Sequence, residues 1–362
     1  MTEPASWKPT WAVSPGEILV EALEERGMSQ ADLGRRMARP TKTISEIATG
    51  KAAITPETAI QLERALGISA ALWLGLESRY REAMARERDR EDLEGHVAWL
   101  DLFPGKELAD RGIIDRRARK ADQAAALLTY FGVSSPAGWE RFWGEAAASY
   151  RMSETQSVSP YAVAIWLREA EREVEGIELP TFDPVRLRDL VSRIRSLTTA
   201  LVLAMAVEEA RDVLASAGVG LLLAKSIRGA PASGAVRWIR SNPWIFLTLR
   251  HRTEDHLWFS LFHEIGHVLE GGRRKDVAEE LTADGMSRSD EDSANAFARE
   301  ALLPDFASSD LLRTGRIDQG AIRESAAVYG VAPGIVVGRL ERDRSVRLGR
   351  FVHLKRKVDT PA

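Results

Sequence analysis

The 362-residue chain contains no cysteine and only six histidines. The absence of cysteine excludes disulfides, cysteine-ligated zinc, iron–sulfur centres and thiol nucleophiles. Any metal site must therefore be built from histidine and carboxylate side chains. The chain also lacks an excess of charge of one sign, since 50 Lys and Arg stand against 53 Asp and Glu. A net charge of −3 argues against a protein that coats nucleic acid along its whole length, although it permits a small basic face.

Long hydrophobic runs are also missing from the sequence. The most apolar stretch, residues 198–207, is about half as long as a helix that spans a bilayer. The first residues carry proline and charge where a signal peptide needs an apolar segment. These absences predict a soluble, cytoplasmic protein without a membrane partner. The chain is 44% apolar and 28% charged, as globular proteins are, and its length is enough for about two or three domains.

The character of the sequence changes twice along the chain. Residues 1–80 contain short amphipathic segments separated by turn signals. Residues 81–120 carry ten charged side chains of each sign, which indicates a solvated helix or a linker. A helical pattern then continues to about residue 198. Three strands and two helices follow, at residues 219–224, 235–240, 244–249, 254–270 and 291–303. We therefore predict a mostly helical α+β protein with a small sheet.

The first segment is predicted to form five helices, of which the last ends near residue 79. Ser14 and Ser29 directly precede the first two of these helices, where they can act as N-caps. The third helix, at about residues 41–49, is short and presents polar side chains outward, while Ile44 and Ile47 point to the core. Two helices joined by a tight turn, the second short and polar-faced, form the helix-turn-helix unit that fits the major groove of DNA.

The charges of this segment agree locally with a DNA contact. Residues 1–80 carry nine basic and ten acidic side chains, but between Arg26 and Lys51 there are six basic and two acidic ones. A local excess of positive charge suits contacts with phosphates. The alternative is a small helical bundle that serves for dimerisation or protein docking. The acidic remainder predicts that DNA affinity requires a dimer.

Residues 28–37, 43–69 and 72–80 resemble the Cro/C1-type (XRE) helix-turn-helix family, in its HigA-like antitoxin branch. The matching segments read MSQADLGRRM, TISEIATGKAAITPETAIQLERALGIS and LWLGLESRY. The resemblance implies that Gln30 contacts the phosphate backbone. It also implies that the groove is faced by Thr41, Lys42, Thr43 and Ser45. Arg36 completes the candidate DNA-binding set; it belongs to the basic segment between Arg26 and Lys51, called the basic edge below.

A second motif, HEIGH, occupies residues 263–267 inside an apolar predicted helix. His263 and His267 lie one turn apart on one helical face, so both imidazoles can bind the same ion. Glu264 follows the first histidine and can act as the base toward a water at that ion. Burial of these polar groups without a ligand would be unfavourable. The alternative is a chance match on an amphipathic helix, with Glu264 paired to a nearby arginine.

A hydrolytic zinc site needs a third protein ligand. Among the other histidines, His256 is the best rival, but it lies seven residues before His263. That spacing is on the order of 10 Å along a continuous helix, which is too far to share one ion. The remaining histidines are His96, His251 and His353. A carboxylate from another helix therefore fits the third position better.

Glu291 is a candidate for this third ligand. Asn295 lies on the same helical face and could support it by hydrogen bonding. Spacing alone does not separate Glu291 from Asp290 or Asp292. Acidic residues near a helix N-terminus are also common without any ligand, because they interact favourably with the helix dipole.

The HEIGH motif and the segment EDSANAFAREALLP, residues 291–304, resemble the ImmA/IrrE family of metallopeptidases. Residues 228–238 and 331–343 extend the similarity to members that are fused to an antitoxin-like domain. The resemblance implies that Glu264 is the catalytic base. It implies one Zn²⁺, with Mn²⁺ as the alternative, held by His263, His267 and Glu291.

Together the two resemblances imply three domains. These are a Cro/C1-type DNA-binding domain at residues 1–80, a charged linker and helical connecting region at 81–180, and a zincin-like metallopeptidase domain at 181–362. The implied function is a homodimeric transcriptional regulator that binds operator DNA. Its endopeptidase would cleave a Cro/C1-type repressor, a toxin or its own linker in a stress or mobile-element response. The alternative is an antitoxin-like repressor whose peptidase-like domain senses a ligand or holds a partner without turnover.

Two features of substrate binding stay open on the sequence alone. Strand 244–249 could pair with an extended substrate, which would add to the sheet as a further strand. The group that stabilises the oxyanion is not identified. Its candidates are Arg250, His251, His256 and Tyr329.

Overall fold

The computed structural model describes residues 13–144, 159–230, 232–249, 253–270, 288–304, 311, 313 and 317–358. Over these residues the chain is mostly helical with one three-stranded sheet, so the predicted fold class is confirmed. The chain divides into two compact units, residues 1–100 with 117–125 and residues 101–116 with 126–362. None of the described helices combines the length and the apolarity that crossing a membrane requires.

Six helices lie at the start of the first unit. They are α1 Pro15–Glu25, α2 Gln30–Arg36, α3 Thr41–Ala48, α4 Pro56–Leu66, α5 Ala70–Glu94 and α6 Val97–Leu100. Ser14 and Ser29 each form a capping box, as the sequence predicts. Helix α5 continues well past its predicted end near residue 79. Its extension is supported by i,i+4 ion pairs such as Arg86–Glu82.

The turn between α2 and α3 is tight for a steric reason. A Cβ atom at Gly34 would lie 2.9 Å from the backbone oxygen of Arg39, so a side chain there would displace the turn. Ala38 adopts a left-handed conformation with φ of 51°. Behind the turn, Leu33 and Ile44 are completely buried in the core of the unit. Their burial fixes the orientation of α3 relative to α2.

The other described helices are α7 Gly105–Asp110, α8 Lys120–Phe131, α9 Pro136–Trp139, α10 Pro160–Glu173, α11 Pro184–Ser196, α12 Leu203–Ala215, α13 Glu254–Glu270, α14 Arg288–Leu302, α15 Gln319–Tyr329 and α16 Pro333–Arg342. Short helical turns occur at Glu140–Gly144, Leu197–Thr199 and Val352–Leu354. Helix α13 has the predicted bounds, and α14 begins three residues before its predicted start at residue 291.

The sheet consists of β1 Gly220–Leu223, β2 Gly234–Ile239 and β3 Asn242–Leu247. Strand β3 lies in the centre, parallel to β1 and antiparallel to β2. Both of its edges are therefore occupied by neighbouring strands. The expectation that segment 244–249 pairs with a substrate is wrong, because β3 has no free backbone edge to offer. Among the described strands, β2 and β1 are the edges.

Helices α13 and α14 are packed closely at one point. A Cβ atom at Gly266 would lie 3.1 Å from the Cα of Ala294, so glycine allows the two backbones to approach. On its other side α13 buries Trp258, Phe262 and Ile265 completely in the core that it shares with β3. Burial of these large apolar side chains fixes α13 against the sheet and turns its polar face toward α14.

The start of α13 is fixed by ion pairs with residues far along the chain. Glu254 is fully buried and its Oε2 accepts a hydrogen bond of 2.5 Å from Nε of Arg356. The next carboxylate, Asp255, accepts a hydrogen bond of 2.6 Å from Nζ of Lys355. Lys355 also contacts Glu341 at 2.6 Å. Buried charges are tolerated when they are paired in this way.

Candidate functional site

Three side chains with metal-ligating groups converge between α13 and α14. The Nε2 atoms of His263 and His267 are 3.0 Å apart, and the carboxylate oxygens of Glu291 lie 3.5 Å from each of them. All three ligand atoms lie within 4.8 Å of one another. Two atoms bound to one zinc ion at about 2.1 Å in a tetrahedral arrangement are about 3.4 Å apart. The donor set and its spacing therefore fit one such ion.

The structure distinguishes Glu291 from its acidic neighbours. Asp290 and Asp292 are exposed, whereas Glu291 is half-buried and faces α13. His256 lies on the same side of α13 but outside the convergent group. His251 lies outside the described residues. His353 contacts Gln319 at 3.3 Å and belongs to another part of the unit.

Glu264 is buried next to the convergent group and is 6% exposed. Burial raises the pKa of its carboxyl to about 7, and the charge of Glu291 adds to the rise, while His263 and His267 act in the opposite direction. Among the described residues no arginine pairs with it. Strand β2 begins directly over it, since a Cβ at Gly234 would lie 2.9 Å from the Cγ of Glu264.

The pKa values of Glu291 and His267 are shifted in opposite directions. Hydrogen bonds with His263 and His267 lower the pKa of Glu291 to about 2. Burial alone would lower the pKa of His267, but its hydrogen bond with Glu291 and the charge of Glu264 outweigh burial and raise it. In the metal-free protein, Glu291 is therefore ionised at neutral pH and His267 holds a proton more readily than an isolated histidine.

We expect divalent metal affinity to fall as the pH decreases. Imidazole binds a metal only in its neutral form, so protons compete with the ion below the pKa of His267. Because that pKa is raised, the competition begins at a higher pH than for an ordinary histidine. The loss should be about tenfold for each pH unit below it. Competition with a chromophoric chelator, corrected for the chelator's own protonation, measures this, and a flat profile would contradict it.

These groups line one cavity of about 520 Å³ within the second unit. Asn295 also lines it, one turn after Glu291, without a hydrogen bond to that carboxylate in the part of the chain that is described. Of the four candidates for the oxyanion-stabilising group, His256 lines the cavity and Tyr329 does not. Arg250 and His251 lie outside the described residues.

The cavity wall contains side chains that the sequence analysis did not single out. They are Phe259, Arg299, Arg339, Arg342, Glu341, Asp255 and Lys355. Two of them had a signal in the sequence, since Arg299 follows Glu291 and Asn295, and Phe259 precedes His263, at a helical spacing of four residues. The approach of the others depends on how α13 packs against α16 and the residues that follow it.

The candidate DNA-contacting residues lie on the outer side of α2 and α3. Arg36, Thr41 and Lys42 are exposed. Gln30, Thr43 and Ser45 are half-buried. The polar face that the sequence predicts for α3 is therefore present, and the two isoleucines of α3 are buried behind it.

The basic edge holds fewer free cations than its sequence suggests. Arg26 donates hydrogen bonds to the backbone oxygens of Ala22 and Leu66, and Nε of Arg39 donates to Gln61 at 2.7 Å. Arg35 pairs with Asp32. These arginines have structural partners. Within the described residues, Arg36 and Lys51 have neither an ion pair nor a hydrogen bond to another element. Lys42 has only a long ion pair, with Glu46 at 3.9 Å.

Two segments of the chain match known protein families. Residues 19–73 match the helix-turn-helix family. Residues 225–341 match the IrrE N-terminal-like domain family. The first segment contains α2 and α3. The second contains His263, His267 and Glu291 and the whole of strand β2.

The chain is also similar to individual proteins. It is 40% identical over 73 residues to the HTH-type transcriptional regulator YddM of Escherichia coli (strain K12), a match that covers 20% of this chain and 78% of that protein. It is 34% identical over 94 residues to virulence-associated protein I of Dichelobacter nodosus, a match that covers 26% of this chain and 86% of that protein. Among solved structures, the chain is similar to an addiction module antidote protein of the HigA family from Coxiella burnetii, with 33% sequence identity and a TM-score of 0.22. This match covers 23% of this chain and 92% of that protein.

Proposed function

Because the chain belongs to the helix-turn-helix regulators and also carries an IrrE N-terminal-like domain, we propose that it is a DNA-binding regulator with a zinc-dependent endopeptidase. The two family assignments made from the sequence are confirmed by these matches. The peptidase activity rests on one observation, the convergence of His263, His267 and Glu291 beside the buried Glu264. Zn²⁺ bound there would polarise the scissile carbonyl and make a water molecule nucleophilic at neutral pH.

The roles of the side chains follow from their positions. His263, His267 and Glu291 would hold the ion with their Nε2 atoms and carboxylate oxygens. Glu264 would accept a proton from the attacking water at its carboxylate and release it to the nitrogen of the leaving amine. Asn295 would hold Glu291 in place once the site is filled. Burial of Glu264 keeps bulk water from taking over the proton transfer.

Strand β2 offers the binding edge for an extended substrate. It is an edge of the sheet among the described strands, and it begins at Gly234 directly over Glu264. A peptide that adds to β2 as a further strand would form backbone hydrogen bonds and pass the cavity. Glycine at position 234 leaves room for the side chain of Glu264, because a Cβ atom there would collide with its Oε1.

The proposed substrate is a regulatory protein encoded near this chain's own gene, either a Cro/C1-type repressor or a toxin. The support is the covalent link between the two units, since a DNA-bound dimer would hold the peptidase near other proteins at the same operator. The similarity to an antidote protein of the HigA family points to the same genetic setting. Cleavage within the chain's own charged segment, residues 81–120, is the intramolecular alternative.

The experiment uses the purified full-length chain loaded with zinc. It is incubated with the products of neighbouring genes, and the mixture is followed by intact-mass spectrometry to locate any cut. We expect cleavage of one partner, loss of cleavage after chelation and recovery when zinc is returned. Stoichiometric zinc without cleavage of any candidate would favour the second function, an antitoxin-like repressor whose peptidase-like unit binds a partner without turnover.

The DNA-binding unit gives its own prediction. Arg36→Ala and Lys42→Ala should each weaken binding to the region upstream of the gene and reduce the slope of log affinity against log salt by about 1, because each removes one cationic contact. Fluorescence anisotropy with labelled duplex at several salt concentrations measures both quantities. Arg86→Ala is the matched control, since Arg86 is an exposed arginine of α5 that pairs with Glu82. Unchanged binding by both variants would contradict the assignment.

A further inference from the structure

The wall of the cavity near His263 carries an arginine, Arg342, that has no ion pair among the described residues. The guanidinium carbon of Arg342 lies 4.0 Å from the centroid of the Phe259 ring. That ring is stacked on His263, with centroids 6.3 Å apart and planes at 28°. Phe259 precedes His263 by one helical turn, about 6 Å along α13. The guanidinium is therefore held beside the first metal-ligating side chain.

The anions near Arg342 are already engaged by other cations. Asp343 accepts a hydrogen bond of 2.7 Å from Nε of Arg339, and Lys355 contacts both Asp255 and Glu341 at 2.6 Å. Arg342 has no ion pair of its own among the described residues. The charged groups that act on it from the elements around it are Arg299, Arg339 and Asp343, two cations and one anion. The positive charge of Arg342 is thus not neutralised by an ion pair in the described part of the chain, although the cavity also contains the carboxylates of Glu264 and Glu291.

Arg299 increases this positive charge from the opposite helix. It lines the same cavity and belongs to the α14 face that carries Glu291 and Asn295. Arg342 as a whole is exposed, and the loss of solvent around its guanidinium together with the charge of Arg299 lowers its pKa. An arginine at a helix C-terminus that rests on a ring would also be stabilised without a ligand. Arg299 places a second, exposed cation in the same cavity, and it has no ion pair among the described residues.

We propose that Arg342, with Arg299, forms a carboxylate-binding subsite of the peptidase cavity. The subsite would select peptides with a carboxylate within about two residues of the scissile bond, because an extended strand advances about 3.3 Å per residue. Guanidinium binds a carboxylate through parallel hydrogen bonds, which gives direction as well as affinity. This inference rests on the proposed peptidase function and names the class of substrate, an acidic peptide.

The test measures peptide binding rather than turnover. The zinc-loaded Glu264→Gln chain is used to capture peptides from a proteome-derived peptide mixture, and the captured peptides are identified by mass spectrometry. We expect enrichment of Asp- or Glu-containing peptides. A parallel mixture with amidated C-termini separates the two sources of the carboxylate, since enrichment that survives amidation comes from a side chain and enrichment that disappears comes from the chain terminus.

Three variants of the capture protein decide the role of Arg342. Arg342→Gln should reduce the affinity for a captured acidic peptide by about ten- to hundredfold, and Arg342→Lys should retain most of the preference. Arg342→Glu should shift the captured set toward Lys- and Arg-containing peptides. Arg347→Gln, an exposed site outside the cavity, is the control, and thermal melts verify that each variant is folded.

Two results would overturn the subsite. One is capture without any acidic preference, and the other is an acidic preference that is unchanged in Arg342→Gln. Failure of the peptidase proposal would look different. In that case the chain with Glu264 intact would bind acidic peptides through Arg342 and leave them uncut, so the binding and cleavage readouts separate the two proposals.

Discussion

Replacement of Glu264 by glutamine should reduce peptide cleavage by about 10²- to 10⁴-fold while the chain keeps its zinc. Glutamine has almost the same shape and fits the same buried position, but its amide cannot accept and return a proton. The three ligating side chains are untouched by the change. A loss of turnover without a loss of metal therefore isolates the proton transfer from metal binding.

The measurement is the initial rate of cleavage of the identified partner, with zinc content determined on the same sample. Glu324→Gln is the matched control, because Glu324 is an exposed carboxylate of α15 outside the cavity. We expect this control to cleave at the parent rate. Cleavage by Glu264→Gln within tenfold of the parent would remove Glu264 from the mechanism, whatever its zinc content.

Replacement of Glu291 by alanine should lower zinc affinity by more than about hundredfold. Loss of an outer hydrogen-bonding partner already reduces metal affinity by about 10- to 100-fold, and loss of a direct ligand should have a larger effect. Only His263 and His267 would then remain of the convergent set. Zinc should also no longer stabilise the variant, whereas the parent gains about 2.7 kcal/mol when free zinc is at 100 times the dissociation constant.

The neighbours of Glu291 provide the controls for this prediction. Asp290→Ala and Asp292→Ala remove exposed carboxylates on either side of it, and both should keep parent affinity. Chelator competition measures the affinity, and a thermal melt with and without zinc measures the stabilisation. Full affinity in Glu291→Ala would show that the third ligand lies elsewhere, and a large loss in Asp292→Ala would identify a different carboxylate.

The parts of the fold that the sequence predicts are those governed by local rules. The caps at Ser14 and Ser29 and the apolar periodicity define α1 and α2, and α13 has its predicted bounds. The pairing of His263 with His267 follows from one turn of helix. Such features depend on residues close together in the chain, so their geometry is nearly independent of the rest of the molecule.

The position of the proposed third ligand depends instead on contact between two helices. The sequence shows an acidic run at the start of α14 but not which carboxylate faces α13. That choice is set by the close approach of Gly266 to Ala294, which fixes the rotation of α14 about its axis. A rotation of about 100° per residue separates Glu291 from its neighbours, so the contact selects one of them.

Two other expectations changed for reasons that lie outside any local pattern. Strand β3 is central because it pairs with β2, its neighbour in the chain, on one edge and with β1 on the other. The parallel pairing with β1 brings together strands that are separated in sequence by β2. The basic edge of the first unit is smaller than a count of charges suggests, because Arg26 and Arg39 are used to join elements distant in sequence. Composition counts charged side chains, but partners in space decide which of them are free.

The pairing of Glu254 with Arg356 has a consequence for the order of events during synthesis. The two residues are 102 positions apart, and Arg356 also donates a hydrogen bond of 2.5 Å to the backbone oxygen of Thr198. Until the ribosome has released residue 356, the first turn of α13 has a carboxylate without its counter-charge. Domains fold as units, N-terminal ones first. The helix-turn-helix unit can therefore be complete in the nascent chain well before His263, His267 and Glu291 are brought together.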